Sequence, residues 1–116
     1  MATRLNIPVV QMSRTTQVVK GTPAPTASDT TNGNQAANDG YSFLEVTNAN
    51  GAATRTFSVQ LPNNVDGQTI TSRTYTVPVS ATCPIYVGPF PTNFYGPILL
   101  IDSTSTDLSF RAISLA

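Results

Sequence analysis

Histidine and tryptophan are both absent from these 116 residues, cysteine occurs once, and the charged side chains number only six basic and six acidic. Without histidine, the chain lacks the residue that does most general acid-base work near neutral pH and ligates most transition metals. Enzymatic readings contract accordingly, and no cofactor or metal is expected. A net charge of zero provides no field to gather nucleic acid, an anionic membrane or an acidic substrate. A single cysteine, Cys83, excludes an internal disulfide, and none of the nine asparagines opens an Asn-x-Ser/Thr sequon; both absences fit a cytosolic origin. Arg4, Pro8 and Arg14 interrupt the first residues, so no signal peptide is expected. The longest purely apolar run, Ile98 to Ile101, falls far short of the roughly twenty residues of a membrane span.

In place of charge the chain carries 18 Thr, 10 Ser and 9 Asn, residues that solvate a surface without ionising; threonine also suits pleated strands. The length corresponds to one domain. Asn-Gly or Asp-Gly steps at 32-33, 39-40, 50-51 and 66-67 supply the positive φ that tight turns need. Between them lie strand-like runs. Tyr41 to Thr47 is rich in β formers on both faces and reads as a strand covered on both sides, and Thr54 to Leu61 alternates cleanly, with Phe57, Val59 and Leu61 on one side. A bent run follows from Thr69 to Val79, its end demoted to an edge by Pro78. Cys83 to Val87 forms a short strand. Ile98 to Ile101 reads as a central strand buried on both faces, and Thr106 to Leu115 as the last, with a change of parity that implies a bulge at Arg111-Ala112. Seven or eight short strands at such spacing predict an all-β fold, a single β-sandwich of Ig-like or jelly-roll-like type over residues 40-116.

The first forty residues differ. Leu5, Ile7 and Val9 alternate and Val18 and Val19 follow, so residues 1-20 read as an N-terminal arm or first strands that pair within their own sheet or with a neighbouring subunit. Residues 21-39 hold no large apolar side chain and read as a long flexible polar loop, because their composition buries too little surface to offset ordering entropy. Arg4, Arg14 and Lys20 make the arm basic, and three scattered charges mark a solvated edge more often than a phosphate contact.

Candidate chemistry is sparse. Cys83 lies before Pro84 in an apolar alternating run and reads as a small buried hydrophobe. Asp66, Asp102 and Asp107 occupy turn or strand-end positions that aspartate favours, and Glu45 lies in a strand, so turn chemistry accounts for most of the carboxylates without a catalytic pair. A calcium site at Asn38 and Asp39 competes with a plain turn. No glycine spacing resembles a phosphate loop. The densest feature is Gly88-Pro89-Phe90-Pro91-Thr92-Asn93-Phe94-Tyr95-Gly96, whose prolines fix φ and exclude a helix or paired strand. Its aromatics, with Tyr41, Tyr75 and Tyr86, read either as a sugar-stacking platform or protein anchor, or as a plug in which Phe90 and Phe94 close the core and Tyr95 keeps its hydroxyl near the surface.

Several segments together carry a resemblance. Asn38-Asp39-Gly40 ahead of a strand, Val65-Asp66-Gly67, Thr74-Tyr75-Thr76-Val77-Pro78, Gly88-Pro89-Phe90-Pro91 with Tyr95 and Gly96, and the closing Ala112-Ile113-Ser114-Leu115 resemble small β-sandwich virion proteins of tailed bacteriophages, of the head-decoration or minor capsid type. The resemblance runs from Asn38 onward, about two thirds of the chain, and the stretch from Thr22 to Asn38 departs from it. It implies a non-enzymatic structural protein of the virion, made in the host cytoplasm. Its partners would be the major capsid protein and copies of itself, a trimer among the options, with no nucleic acid, membrane or small-molecule substrate. The expected interface residues are Leu5, Ile7 and Val9, adding a strand to another chain, with Phe90, Phe94 and Tyr95 in the aromatic loop. The alternatives are a carbohydrate- or receptor-binding module of a phage tail, and a tail-tube or head-completion protein.

Overall fold

A computed structural model describes residues 4–15, 17–19, 24–62, 66–68 and 71–115. Two five-stranded sheets pack face to face in an all-β fold. The strands are β1 (Leu5–Asn6), β2 (Val9–Gln11), β3 (Thr26–Ala27), β4 (Asn34–Ala37), β5 (Ser42–Asn48), β6 (Arg55–Val59), β7 (Arg73–Val77), β8 (Ile85–Val87), β9 (Ile98–Ser103) and β10 (Leu108–Ser114). The first sheet runs β1-β4-β9-β6-β7; the second runs β2-β10-β5-β8, with β3 also paired to β10. One helical turn, α1 (Thr92–Tyr95), interrupts the aromatic loop. Lys20, Gly21 to Pro23, Asn63 to Val65 and the Thr69-Ile70 start of the expected 69-79 strand lie outside the described residues.

Alternation places the core. In β5 every second residue, Ser42, Leu44, Val46 and Asn48, is buried, so the strand packs chiefly on one face and the expectation of equal cover on both sides is corrected. Opposite it Phe57 and Val59 of β6 and Leu99 and Ile101 of β9 point inward and are fully shielded, meeting Leu108 and Phe110 of β10. Phe57 packs edge-on against Phe110 at 5.5 Å and stacks on Tyr75 at 5.3 Å. Each large side chain so buried contributes about 1.5–3 kcal/mol of hydrophobic stabilisation. β9 lies between β4 and β6, as its apolar sequence predicts, but its faces are unequal: Leu99 and Ile101 are buried, while Ile98 at the strand's start is 45% exposed.

One open alternative is decided and two expectations change. The arm pairs with its own chain: β1 runs parallel to β4, and after Pro8 the chain switches sheets so that β2 runs parallel to β10. Ile7, between them, is 1% exposed, a core residue. Secondly, residues 34–37, expected within the flexible 21-39 loop, form β4, paired with β9 over four residues. Its buried side chains are Asn34 and Ala36, so β4 joins the sheet through main-chain pairing, small size and an asparagine whose amide is satisfied: Asn34 Oδ1 accepts from Asp29 N–H at 2.9 Å and Nδ2 donates to Ala27 O at 3.1 Å. Thirdly, β10 has no bulge. It pairs with β5 without a break from Leu108 opposite Asn48 to Ser114 opposite Ser42. The parity change arises because β10 is covered on both faces, with Leu108, Phe110 and Ala112 toward the core and Arg111 and Ile113 on the side of Met12, Val18 and Val19.

Candidate functional site

One end of the sandwich, where β5 and β9 begin and β8 and β10 finish, is built around Asn38. Its Nδ2 donates to Phe90 O and Gly96 O, both at 2.9 Å, and its Oδ1 accepts from Gly40 N–H at 3.1 Å. A single buried amide thereby fixes both ends of the aromatic loop, whose main-chain carbonyls would otherwise lack partners. Gly40, at φ 88, turns the chain into β5. At Gly88, φ 136, a Cβ would come within 2.9 Å of the Phe43 Cβ, so only glycine lets the loop leave β8 this close to β5. The residues after Pro91 coil once, with Tyr95 N–H bonded to Pro91 O at 2.9 Å. The segment expected to exclude any helix therefore contains one turn, because Pro91 precedes the turn and Pro97 follows it, leaving five proline-free residues between, of which Thr92 to Tyr95 coil.

That turn decides the fate of each ring. Phe90 (1% exposed) and Tyr95 (8%) are buried and meet edge-on at 5.0 Å, closing the core, whereas Phe94 is 57% exposed. The plug is thus Phe90 with Tyr95, and the expected pairing of Phe90 with Phe94 is corrected: a one-turn helix puts residues 94 and 95 on different sides. The Tyr95 hydroxyl meets that of Tyr75, whose pKa is raised above 10.0 first by burial and then by this neighbour. Of the six expected interface residues, Ile7, Phe90 and Tyr95 are taken up by the chain's own core and Val9 is half-buried against it; Leu5 and Phe94 are exposed.

Around this end gather most of the exposed large apolar side chains: Tyr41, Tyr86, Phe94, Ile98 and Leu115 are five of the seven on the molecule's described surface. Tyr41, Phe43, Tyr86, Val87, Pro89 and Leu115 line a hollow of about 260 Å³. The Phe43 and Tyr86 rings meet edge-on at 62° and form a ridge between this hollow and a second of about 360 Å³, bounded by Met12, Val18 and Ile113. The second has an ion pair on its wall. Arg111 Nη1 bonds both Glu45 oxygens, at 3.0 and 3.1 Å, and Nη2 donates to Val19 O at 3.2 Å. This buried pair neutralises itself, with Met12, Val18 and Val19 beside it. Asp39 rims the same end: its carboxylate accepts from Ser114 Oγ at 2.6 Å, Tyr41 N–H at 2.9 Å and Ser42 Oγ at 3.0 Å. These bonds, that from Ser114 foremost, hold its pKa below 3.8. The oxygens of Asn38 and Asp39 that a calcium ion would need thus already accept protein donors.

The opposite end is polar. Asn48 does there what Asn38 does at the first, donating to Ala53 O and Pro78 O and accepting from Asn50 N–H. Asp107 bonds Arg55 Nε at 3.0 Å and Asn50 Nδ2 at 3.3 Å, and hydrogen bonding from Asn50, then Arg55, lowers its pKa. Asp102 bonds Arg4 at 2.9 Å and Gln60 at 2.7 Å. Threonines and serines fill most of the walls of a hollow of about 430 Å³ there. Cys83 is half-buried, not a plain hydrophobe: Asn48 N–H donates to its Sγ, which in turn bonds Pro78 O, both at 3.3 Å. Among the described residues no three His, Cys, Asp or Glu side chains converge on a possible metal position.

Ile98 and Leu115 are surface members that pattern reading assigns to strands facing a core. Their signal is parity: Ile98 alternates with the buried Leu99 and Ile101, and Leu115, just past β10, continues the outer row of Arg111 and Ile113, so both lie on faces turned away from the opposing sheet. Compared with known proteins, the chain matches no family model, no curated protein and no solved structure.

Proposed function

We propose that this chain is a non-enzymatic structural component of a bacteriophage virion, a decoration protein that docks on the outer head surface and ties neighbouring coat subunits together. The observation that carries the reading is the polarity of the sandwich. Exposed Tyr41, Tyr86, Phe94, Ile98 and Leu115 collect at one end and its adjoining rim, whereas the other end presents hydroxyls and paired charges. Monomeric surfaces scatter apolar side chains singly; a cluster with aromatic members beside a hollow marks a protein contact. The resemblance of the loop and closing strand to virion proteins supplies the partner, the major capsid protein, and symmetric copies of the chain itself.

Within the sandwich class, an immunoglobulin-like arrangement fits better than a jelly roll, because the first strand switches sheets and its second half runs parallel to the last strand. A sugar-stacking module of a tail has less support: Phe43 and Tyr86 meet edge-on instead of offering coplanar faces.

Phe94→Asp and Leu115→Asp place charges at exposed positions and leave the core untouched. Each is expected to fold as the parent does and to deplete the protein from purified particles. Undiminished occupancy by both variants would overturn docking by this end.

A further inference from the structure

The first sheet ends in β1 on one side and β7 on the other, and the second has β8 at one edge. β1 has two residues and β8 three, but β7 has five, Arg73–Val77, and pairs among the described residues with β6 alone. Proteins blunt such edges with proline, a bulge, inward charge or a covering segment. Within its span β7 has no proline, pairs with β6 without a bulge and carries a single charge, Arg73.

The directions of its main-chain groups follow from ladder parity. Gln60 N–H donates to Leu100 O at 2.9 Å, so Gln60, Ser58 and Thr56 turn their main-chain groups toward β9, and Arg55, Phe57 and Val59 turn theirs toward β7. The partners of the latter, Val77, Tyr75 and Arg73, therefore bond inward. Thr74 and Thr76 are left pointing N–H and C=O at the open edge.

We propose that this edge pairs with the same edge of a second copy of the chain, antiparallel, about a two-fold axis at Tyr75. In that register Thr74 of each copy lies opposite Thr76 of the other in hydrogen-bonded positions, so both outward residues of both strands exchange N–H···O=C bonds. Tyr75 meets its own symmetry mate in the non-hydrogen-bonded position, as its inward-turned main chain requires. The exposed Thr74 and Thr76 side chains become cross-strand neighbours, a favourable pairing on a sheet. Charge selects the orientation. Two-fold antiparallel pairing sets each Arg73 opposite a Val77, with the two guanidinium-bearing residues at opposite ends of the ribbon; parallel pairing would bring them side by side. The contact is isologous and closes at a dimer, with main-chain addition supplying affinity that a neutral surface cannot draw from charge.

This inference rests on the homo-oligomeric part of the reading above and names its contact, and it is tested on the isolated protein. Sedimentation velocity over a concentration series is expected to show a monomer-dimer equilibrium. Thr76→Pro removes one outward N–H at an edge position that tolerates proline, and is expected to weaken dimerisation at least tenfold with an unchanged circular dichroism spectrum, whereas Thr76→Val retains the dimer. In the parent protein, amide exchange at Thr74 and Thr76 should slow as concentration rises. A monomer at every concentration, a trimer, a dimer that survives Thr76→Pro, or concentration-independent exchange at those two amides would each overturn the pairing, the last even if the proline variant does not fold. A monomer that still decorates heads would defeat this inference alone; a dimer absent from particles would defeat the virion reading alone.

Discussion

Asn38 and Phe90 are 52 residues apart in sequence and joined by one buried hydrogen bond, Nδ2 to carbonyl at 2.9 Å. With the matching bond to Gly96 O, it makes the turn before β5 and the aromatic loop a single unit. Asn38→Ala strands two carbonyls and the Gly40 N–H, and is expected to cost about 2–4 kcal/mol in urea denaturation. Asn38→Asp, which sets a carboxylate against two carbonyl oxygens, is expected to cost at least as much. A loss below ~0.5 kcal/mol for either variant would mean that the loop is held by other contacts.

Two phenylalanines four residues apart should respond oppositely. Phe90→Ala opens a cavity in the closed end of the core and is expected to cost about 3–5 kcal/mol. Phe94→Ala, at an exposed position, should change stability by no more than ~0.5 kcal/mol while lowering particle occupancy. Thermal and chemical unfolding of the two variants side by side separates plug from anchor.

Placement of the arm also has a direct test. Ile7→Ala is expected to cost about 2–5 kcal/mol, and Leu5→Ala, 44% exposed in the parent, close to nothing. Removal of residues 4–11 takes away Ile7, two strand pairings and the Arg4 bond to Asp102, and should abolish cooperative unfolding. A truncated chain that unfolds with the parent's midpoint would show that the arm belongs to a partner after all.

Much of this was legible in the residues. Although Gly51 does not adopt the positive φ expected of it, the Thr54-Leu61 alternation, the turn at 39-40 and the centrality of Ile98-Ile101 follow from period and turn chemistry. β4 did not, because its contribution to the core is Asn34 and Ala36, and hydropathy cannot register an asparagine whose amide is satisfied inside. The imagined bulge in β10 has the same root: a strand buried on both faces loses the alternation from which parity is read. At the candidate site, sequence identified the aromatic loop but not which ring faces out, since that depends on one helical turn between two prolines.

Acid should unfold the protein from its carboxylates. Asp39 and Asp107 both have folded pKa values depressed below 3.8, so their stabilisation is complete above that value and is lost as pH falls through the lower folded pKa. Ser114→Ala removes the main cause of the Asp39 shift and should move the acid midpoint to higher pH. Tyr75 acts with the opposite sign: its raised pKa gives stability that is full below 10.0 and declines as pH rises through the folded value. With no histidine, stability should be nearly flat between about pH 5 and 8. Unfolding midpoints across that range and beyond it check all three statements.

Imaging of intact phage particles by electron cryomicroscopy tests the central claim most directly. The expected result is a β-sandwich on the outer head surface whose Tyr41, Phe94 and Leu115 end contacts the coat shell and whose Arg55 and Asp107 end faces solvent. A sandwich bound by the polar end, located in the tail, or missing from the particle would contradict it.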